Sequence, residues 1–229
     1  MSWQSAQVVG IRPETARAKT IRLALPAPSP HRAGQHYVLR LTAPDGYTAS
    51  RSYSVASAPD GTNEIELTVE RLEGGEVSTF LHDEVAIGDE LEVRGPIGGW
   101  FVWEADSPAV LVGGGSGVVP LMAMLRLARR TGTADLVRLI VSVRTPDDLY
   151  YAHEIEGPET NVVYTRVAPP ASVRPAGRLT GADLPAGIVP EARAFVCGSS
   201  GFADAASDAL MGGGVAAERI RVERFGPTG

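Results

Sequence analysis

The chain has 229 residues, a formal net charge of −6 at pH 7 and 44% hydrophobic residues, enough apolar material for two modest cores. The negative balance excludes general binding to nucleic acid or to anionic membranes. A single cysteine, Cys197, excludes an internal disulfide and a cysteine-ligated iron–sulfur cluster within these residues.

The opening Met1-Ser2-Trp3-Gln4 lacks a signal-peptide pattern, and no apolar run approaches the ~20 residues of a membrane span, so a cytoplasmic location is expected. From Gln7 to about Val102 the chain reads as short alternating strands. Ala18–Leu25, His36–Leu41, Glu64–Val69 and Glu90–Val93 are examples, separated by turn residues. Period-two alternation at this spacing predicts a small antiparallel β-barrel or sandwich. His31, His36, His82 and His153 show no metal-ligand spacing, and no metal site is expected.

From Pro108 the rhythm changes. Val110–Val112 and Leu136–Val143 read as buried strands, Leu121–Arg130 as a helix, and Asp147–Glu156 as a polar helix. A third short strand ends at Thr165-Arg166, the proline-rich Ala168–Pro175 is a loop, and Ala194–Cys197 precedes a last helix over Phe202–Met211. Strands alternating with helices predict a parallel, Rossmann-like α/β sheet with helices on both faces. The boundary is expected near Glu104–Ser107, giving a barrel domain over 1–105 and an α/β domain over 106–229.

The apolar run Ala109–Val112 stops at Gly113-Gly114-Gly115-Ser116-Gly117-Val118-Val119-Pro120. A strand, a glycine turn and a helix start let backbone N–H groups face a pyrophosphate, although the same segment also reads as a plain tight connection. Pro120 stands where the usual dinucleotide fingerprint carries glycine or alanine, and is expected at the first helical position. At the end of the second strand, Ser142 and then Arg144 occupy the region where an acid would hold ribose hydroxyls, which favours a phosphate on the ribose. A serine hydrolase is excluded, because neither Ser116, followed by Val118, nor Ser200, followed by Phe202, completes Gly-x-Ser-x-Gly. Cys197 falls where a strand ends and a helix begins, as a nucleophile or a buried cysteine would.

Arg51-Ser52-Tyr53-Ser54, Gly74-Gly75 followed by Ser78, Gly95-Pro96-Ile97-Gly98, the Gly113–Pro120 loop and Cys197-Gly198-Ser199-Ser200-Gly201-Phe202 occur in this order. Together they resemble the ferredoxin-NADP reductase superfamily in its minimal two-domain flavoprotein form, over nearly the whole chain. The resemblance implies that Arg51 and Ser52 belong to a flavin-binding strand, with Arg51 on a flavin phosphate, Tyr53 packed on the isoalloxazine ring and Ser54 near its N5. A guanidinium suits a phosphate and an aromatic ring supplies a stacking surface. It further implies that Gly74, Gly75, Val77 and Ser78 hold the flavin diphosphate at a helix start, where amides and the positive helix end favour an anion. Without a ligand the same segment reads as a turn capped by Ser78.

By the same resemblance, Gly114, Gly115, Gly117 and Pro120 form the pyridine-nucleotide pyrophosphate loop, with Val119 where the family often has threonine. Cys197, Gly198 and Phe202 border the nicotinamide, Cys197 by positioning and electrostatics. Ser142, Arg144, Arg166 and Arg178 favour NADPH over NADH. Phe225 would gate nicotinamide access, and Glu223 would assist proton or partner contacts. The implied activity is hydride transfer from NAD(P)H to FAD and onward electron transfer to a separate ferredoxin or oxygenase component. A free-flavin or quinone reductase and a flavin-binding subunit of a larger complex are the alternatives.

Overall fold

The alternating first half of the chain forms six antiparallel strands in the computed structural model, which describes residues 2–28, 30–189 and 191–226. They are β1 (Gln4–Thr15), β2 (Ala18–Ala24), β3 (His36–Thr42), β4 (Thr48–Ser54), β5 (Glu64–Glu70) and β6 (Glu90–Ile97), in the spatial order β4-β3-β6-β1-β2-β5. An isolated bridge between Val55 and Leu67 joins the two outer strands, and Ala56 N–H donates to the Glu66 carbonyl at 2.8 Å. The sheet thereby closes on itself, so its edges are paired rather than left as templates for association. Inward positions such as Val8, Ile21, Leu39, Leu67 and Val93 fill the interior. A short helix, α1 (Glu76–Asp83), packs beside β4 and β5 and places Val77 and Leu81 in that core.

The second half gives a five-stranded parallel sheet: β7 (Ala109–Gly114), β8 (Val137–Val143), β9 (Thr160–Tyr164), β10 (Arg193–Gly198) and β11 (Ile220–Arg224), ordered β11-β10-β7-β8-β9. Both faces are covered, which explains why β7 is buried almost continuously rather than alternately. Leu111, Leu139, Val141 and Phe195 face one layer, containing α2 (Val118–Thr131). Val110, Val112, Ile140 and Val196 face the other, containing α3 (Ser200–Gly212).

Helix α2 is buried nearly all round because it lies between the sheet and the barrel. Ala18, Ala33 and Ala56 of the barrel share one apolar cluster with Phe101, Trp103 and α2. The stretch between the sheets is pinned by Trp103, whose Nε1 donates to the Ser107 carbonyl at 2.9 Å and whose N–H donates to Ala33. The two sheets end and begin at Ile97 and Ala109, and we keep 105/106 as the proposed division between domains.

Two local expectations are corrected. Pro120 is the third residue of α2, after a 3-10 turn over Gly115–Gly117, rather than the first. It still falls in the turn whose N–H groups have no intrahelical partner, so proline is tolerated. The predicted helix over Asp147–Glu156 is a 3-10 turn, Pro146–Asp148, followed by further turns. Thr145 and Asp148 cap that turn reciprocally, and Tyr151 adopts φ +56°, which no right-handed helix accommodates.

Candidate functional site

On the barrel, the second half of β4 turns from solvent towards the interior: Arg51 and Ser52 are exposed, Tyr53 is half-buried and Ser54 is buried. The Arg51 guanidinium donates to the adjacent Ser50 carbonyl at 2.7 Å and has no acidic partner among the described residues. Burial pushes the Tyr53 phenol up to about 12 despite the nearby Arg51, so this ring is a neutral aromatic surface at working pH. Beside it, Gly75 is the N-cap of α1 and supplies no side-chain hydrogen bond. The first-turn N–H groups of Glu76, Val77 and Ser78 are therefore available to an anion.

Val77 buries its side chain in the barrel core, which leaves only its backbone N–H at the helix start. Ser78 differs from the expected cap. It is the third helical residue, its Oγ accepting from Leu72 N–H and donating to the Gly75 carbonyl, both at 3.1 Å. It holds the Gly74-Gly75 turn in shape. A side chain at Gly74 would meet nothing within 4 Å, so the turn faces open space. The uncapped helix start, the unpaired guanidinium and the neutral aromatic ring fit a flavin with a diphosphate tail.

In the α/β domain, the chain reverses its direction of strand addition between β7 and β10, the kind of point at which open α/β sheets bind ligands beyond the carboxyl ends of their strands. Four backbone segments meet at this point. Gly113 pairs with Cys197, and Gly117 lies so close that a Cβ on it would stand 2.1 Å from the Cys197 carbonyl oxygen. Phe202 lies over both Gly114 and Gly198, where an added Cβ would be 2.7 and 2.6 Å from its ring. Gly115, at φ +55°, projects into open space. The phenylalanine thus packs over both strand ends, and the glycines let these backbones close together.

Cys197 is fully buried, and burial together with Glu223 raises its thiol well above the ordinary value. Glu223 is its register partner on β11, and burial lifts that carboxyl to about 7. Beyond β11, Phe225 N–H donates to the Gly198 carbonyl at 2.9 Å, and its ring packs on the α2-side cluster. Pro227–Gly229 lie outside the described residues.

Ser142 is buried at the end of β8, opposite Gly114. Arg144 follows it, exposed, and its carbonyl accepts the Arg166 N–H at 2.9 Å. Arg178 follows Gly177, whose N–H bonds to the Tyr164 carbonyl at 2.9 Å at the end of β9. The three guanidiniums thus leave from neighbouring strand ends, with no acidic partner among the described residues. Arg174 is different: it pairs with Asp183 and donates to the carbonyls of Pro175, Gly177 and Arg178, organising the loop that carries Arg178.

Sequence reasoning missed the polar seam between the domains. Its centre, Arg126, makes hydrogen bonds to Ala56, Glu66 and Glu154. The available signal was a lone charge inside the apolar stretch Leu121–Ala128.

The profile of the oxidoreductase FAD-binding domain family matches residues 6–102. A flavohemoprotein of Chromobacterium violaceum is 36% identical over 224 residues, covering 89% of this chain and 54% of that one. The reductase component of propane 2-monooxygenase from Rhodococcus jostii is 29% identical over 234 residues, covering 96% and 62%. The chain spans about half the length of the flavohemoproteins it matches. Among solved structures, the flavohem-like FAD/NAD-binding domain of nitric oxide dioxygenase from Vibrio cholerae superposes with a TM-score of 0.87 at 25% identity, covering 98% of this chain and 99% of that one. A ferredoxin NADP+ reductase from Neisseria gonorrhoeae with bound FAD and NADP shares the fold, with a TM-score of 0.82 at 21% identity, covering 98% and 99%. Residues 6–102 thus match the oxidoreductase FAD-binding domain family, and the closed barrel followed by a parallel sheet gives the whole chain the fold of these two-domain FAD- and nicotinamide-nucleotide-binding reductases.

Proposed function

We propose that this chain carries hydride from NADPH to FAD and passes the electrons to an iron–sulfur carrier or oxygenase component. The observation that carries this reading is the meeting of two anion-ready sites at one seam. Ala56, two residues beyond Ser54, is buried in the same apolar cluster as Val118, Val119 and Cys197. The barrel's β4 end and the glycine loop at the sheet's reversal point are therefore joined through one apolar cluster.

In this reading Arg51 and the α1 amides hold the flavin diphosphate, Tyr53 supports the ring and the Ser54 hydroxyl bonds to a ring nitrogen. The backbone at Gly115–Gly117 holds the coenzyme pyrophosphate, and Arg144, Arg166 and Arg178 hold a 2′-phosphate. Bound flavin supplies a two-electron acceptor that can release its electrons singly. Cys197, kept as a neutral thiol by burial, shapes the floor of the coenzyme site and makes no nucleophilic attack. Glu223 holds or gives up a proton near neutrality, and Phe225 covers the coenzyme site until the nicotinamide displaces it. A cytoplasmic location belongs to this reading. These residues include one cysteine, so a cysteine-ligated iron–sulfur acceptor lies outside them. Among relatives, reductase components of propane 2-monooxygenase and of glycine betaine monooxygenase support an oxygenase-type acceptor.

The test is turnover of the FAD-loaded protein with NADPH and, in turn, a [2Fe–2S] protein, free FMN or a quinone. Reduction of the iron–sulfur protein well above the other two supports the reading. Turnover confined to FMN or quinone overturns the acceptor assignment in favour of a free-flavin or quinone reductase.

A further inference from the structure

Helix α2 begins at the glycine loop and carries a charge, Arg126, in its buried middle. The side chain is 16% exposed and every arm of its fork is engaged. Nε and one terminal nitrogen grip the two oxygens of Glu154 at 2.9 and 2.5 Å. The other terminal nitrogen reaches across to the barrel, donating to Glu66 on β5 at 2.8 Å and to the Ala56 carbonyl at 2.9 Å. The guanidinium also sits 5.0 Å from the centre of the Tyr151 ring.

Tyr151 belongs to the same seam. Its hydroxyl hydrogen-bonds Thr68 at 2.5 Å, Thr68 and Thr20 share a hydrogen bond of 2.7 Å, and Thr20 donates to Glu14 at 2.6 Å. Glu14 returns to the Tyr151 N–H at 3.1 Å, closing a ring of contacts between β1, β2, β5 and the α/β domain. No buried side-chain polar atom among the described residues lacks a partner. Tyr151 is held at φ +56°, a conformation that is strained for a bulky residue and persists where surrounding contacts fix it.

Such a network is a poor device for stability, because desolvating its charges offsets much of their attraction, and a well-packed apolar replacement is often as stable. Its effect is on geometry. A planar fork bonded at both ends tolerates one relative placement of its partners. Its barrel end holds the peptide two residues beyond Ser54. Its helix end lies eight residues, or about 12 Å, along α2 from Val118. One side chain therefore ties the strand end on the flavin side to the helix on the coenzyme side.

We propose that Arg126 is a positioning residue that sets the distance between the barrel and the α/β domain, and hence the approach of nicotinamide to flavin; this rests on the function proposed above. It touches neither group. Because hydride transfer falls steeply with a displacement of about 1 Å, loosening the clamp acts on the transfer rate and spares the binding of each cofactor.

The experiment compares wild type, Arg126→Gln and Arg126→Lys as FAD-loaded proteins. FAD content, NADP+ affinity, flavin reduction rate and its isotope effect with deuterated NADPH are measured. The interdomain distance is read from spin labels on Ile87→Cys and Met211→Cys, exposed positions in the two domains, Cys197 being buried. The expected result is cofactor affinities within about twofold of wild type, with reduction slowed roughly 10- to 100-fold in Arg126→Gln. The isotope effect changes and the distance distribution broadens; Arg126→Lys falls between, keeping the charge but losing the fork.

An unchanged rate with an unchanged distance distribution overturns the proposal, as does a slowed rate explained wholly by weaker cofactor binding. If Arg126→Gln does not fold, Arg126→Lys and Glu66→Gln decide by the same criteria. If wild-type protein is not reduced by NADPH, the function proposed above fails. The spin-label distances then decide the clamp: broadening supports it and an unchanged distribution overturns it.

Discussion

Glu223 and Cys197 stand side by side on adjacent parallel strands, and neither carries a charge at mildly acidic pH. Burial lifts the Glu223 carboxyl from 4.5 to about 7, and burial with Glu223 lifts the thiol. Because the folded-state value is raised, the Glu223 contribution to stability is fully present below about 4.5 and is lost as pH rises through about 7. Urea unfolding at pH 5 and pH 8 is therefore expected to show wild type losing on the order of 2–3 kcal/mol relative to Glu223→Gln. Parallel profiles for the two proteins would remove the raised carboxyl from the account.

Gly117 and Gly115 are neighbours in one loop with different reasons for being glycine. At Gly117 the backbone is in the ordinary right-handed region, but a Cβ would stand 2.1 Å from the Cys197 carbonyl oxygen. At Gly115 there is open space, but φ is +55°. Gly117→Ala should cost roughly 2–3 kcal/mol by forcing α2 and β10 apart, and Gly115→Ala only about 1 kcal/mol. Thermal or urea unfolding of the two variants reads the difference.

Among the described residues Arg51 makes one side-chain hydrogen bond, to the carbonyl beside it, and it lies exposed. Removing it should leave the unfolding midpoint of the flavin-free protein unchanged. Flavin affinity should fall roughly 10- to 100-fold, the worth of a charge-assisted phosphate contact. Titration of the flavin-free protein with FAD checks both parts.

The architecture was legible because its signals are local. Alternation in β5 and the unbroken apolar run of β7 distinguish a sheet with a solvent face from one covered on both sides. The loop motifs were legible because glycine and proline report backbone geometry directly. What escaped depends on distant partners. The Asp147–Glu156 stretch has the polarity of a surface helix, but Tyr150 and Tyr151 are drawn into the domain seam, and the backbone follows. Arg126 bonds to residues 28 to 70 positions away, a relation no local period encodes. The Ser78 hydroxyl was expected at a cap and instead bonds the turn before its helix, because the helix starts two residues earlier.

In the proposed function, coenzyme choice rests on Arg144, Arg166 and Arg178, which have no acidic partner among the described residues. Replacing any one by alanine should lower kcat/KM for NADPH about tenfold while leaving that for NADH within about twofold, since only a 2′-phosphate gains the charge-assisted contact. Equal losses with both coenzymes would assign these arginines to the shared part of the nucleotide.

The most direct measurement is anaerobic stopped-flow absorbance of the FAD-loaded protein mixed separately with NADPH and NADH. The account predicts rapid bleaching near about 450 nm, where oxidised flavins absorb, faster with NADPH. A protein that binds no FAD, or whose bound flavin neither coenzyme reduces, would contradict it.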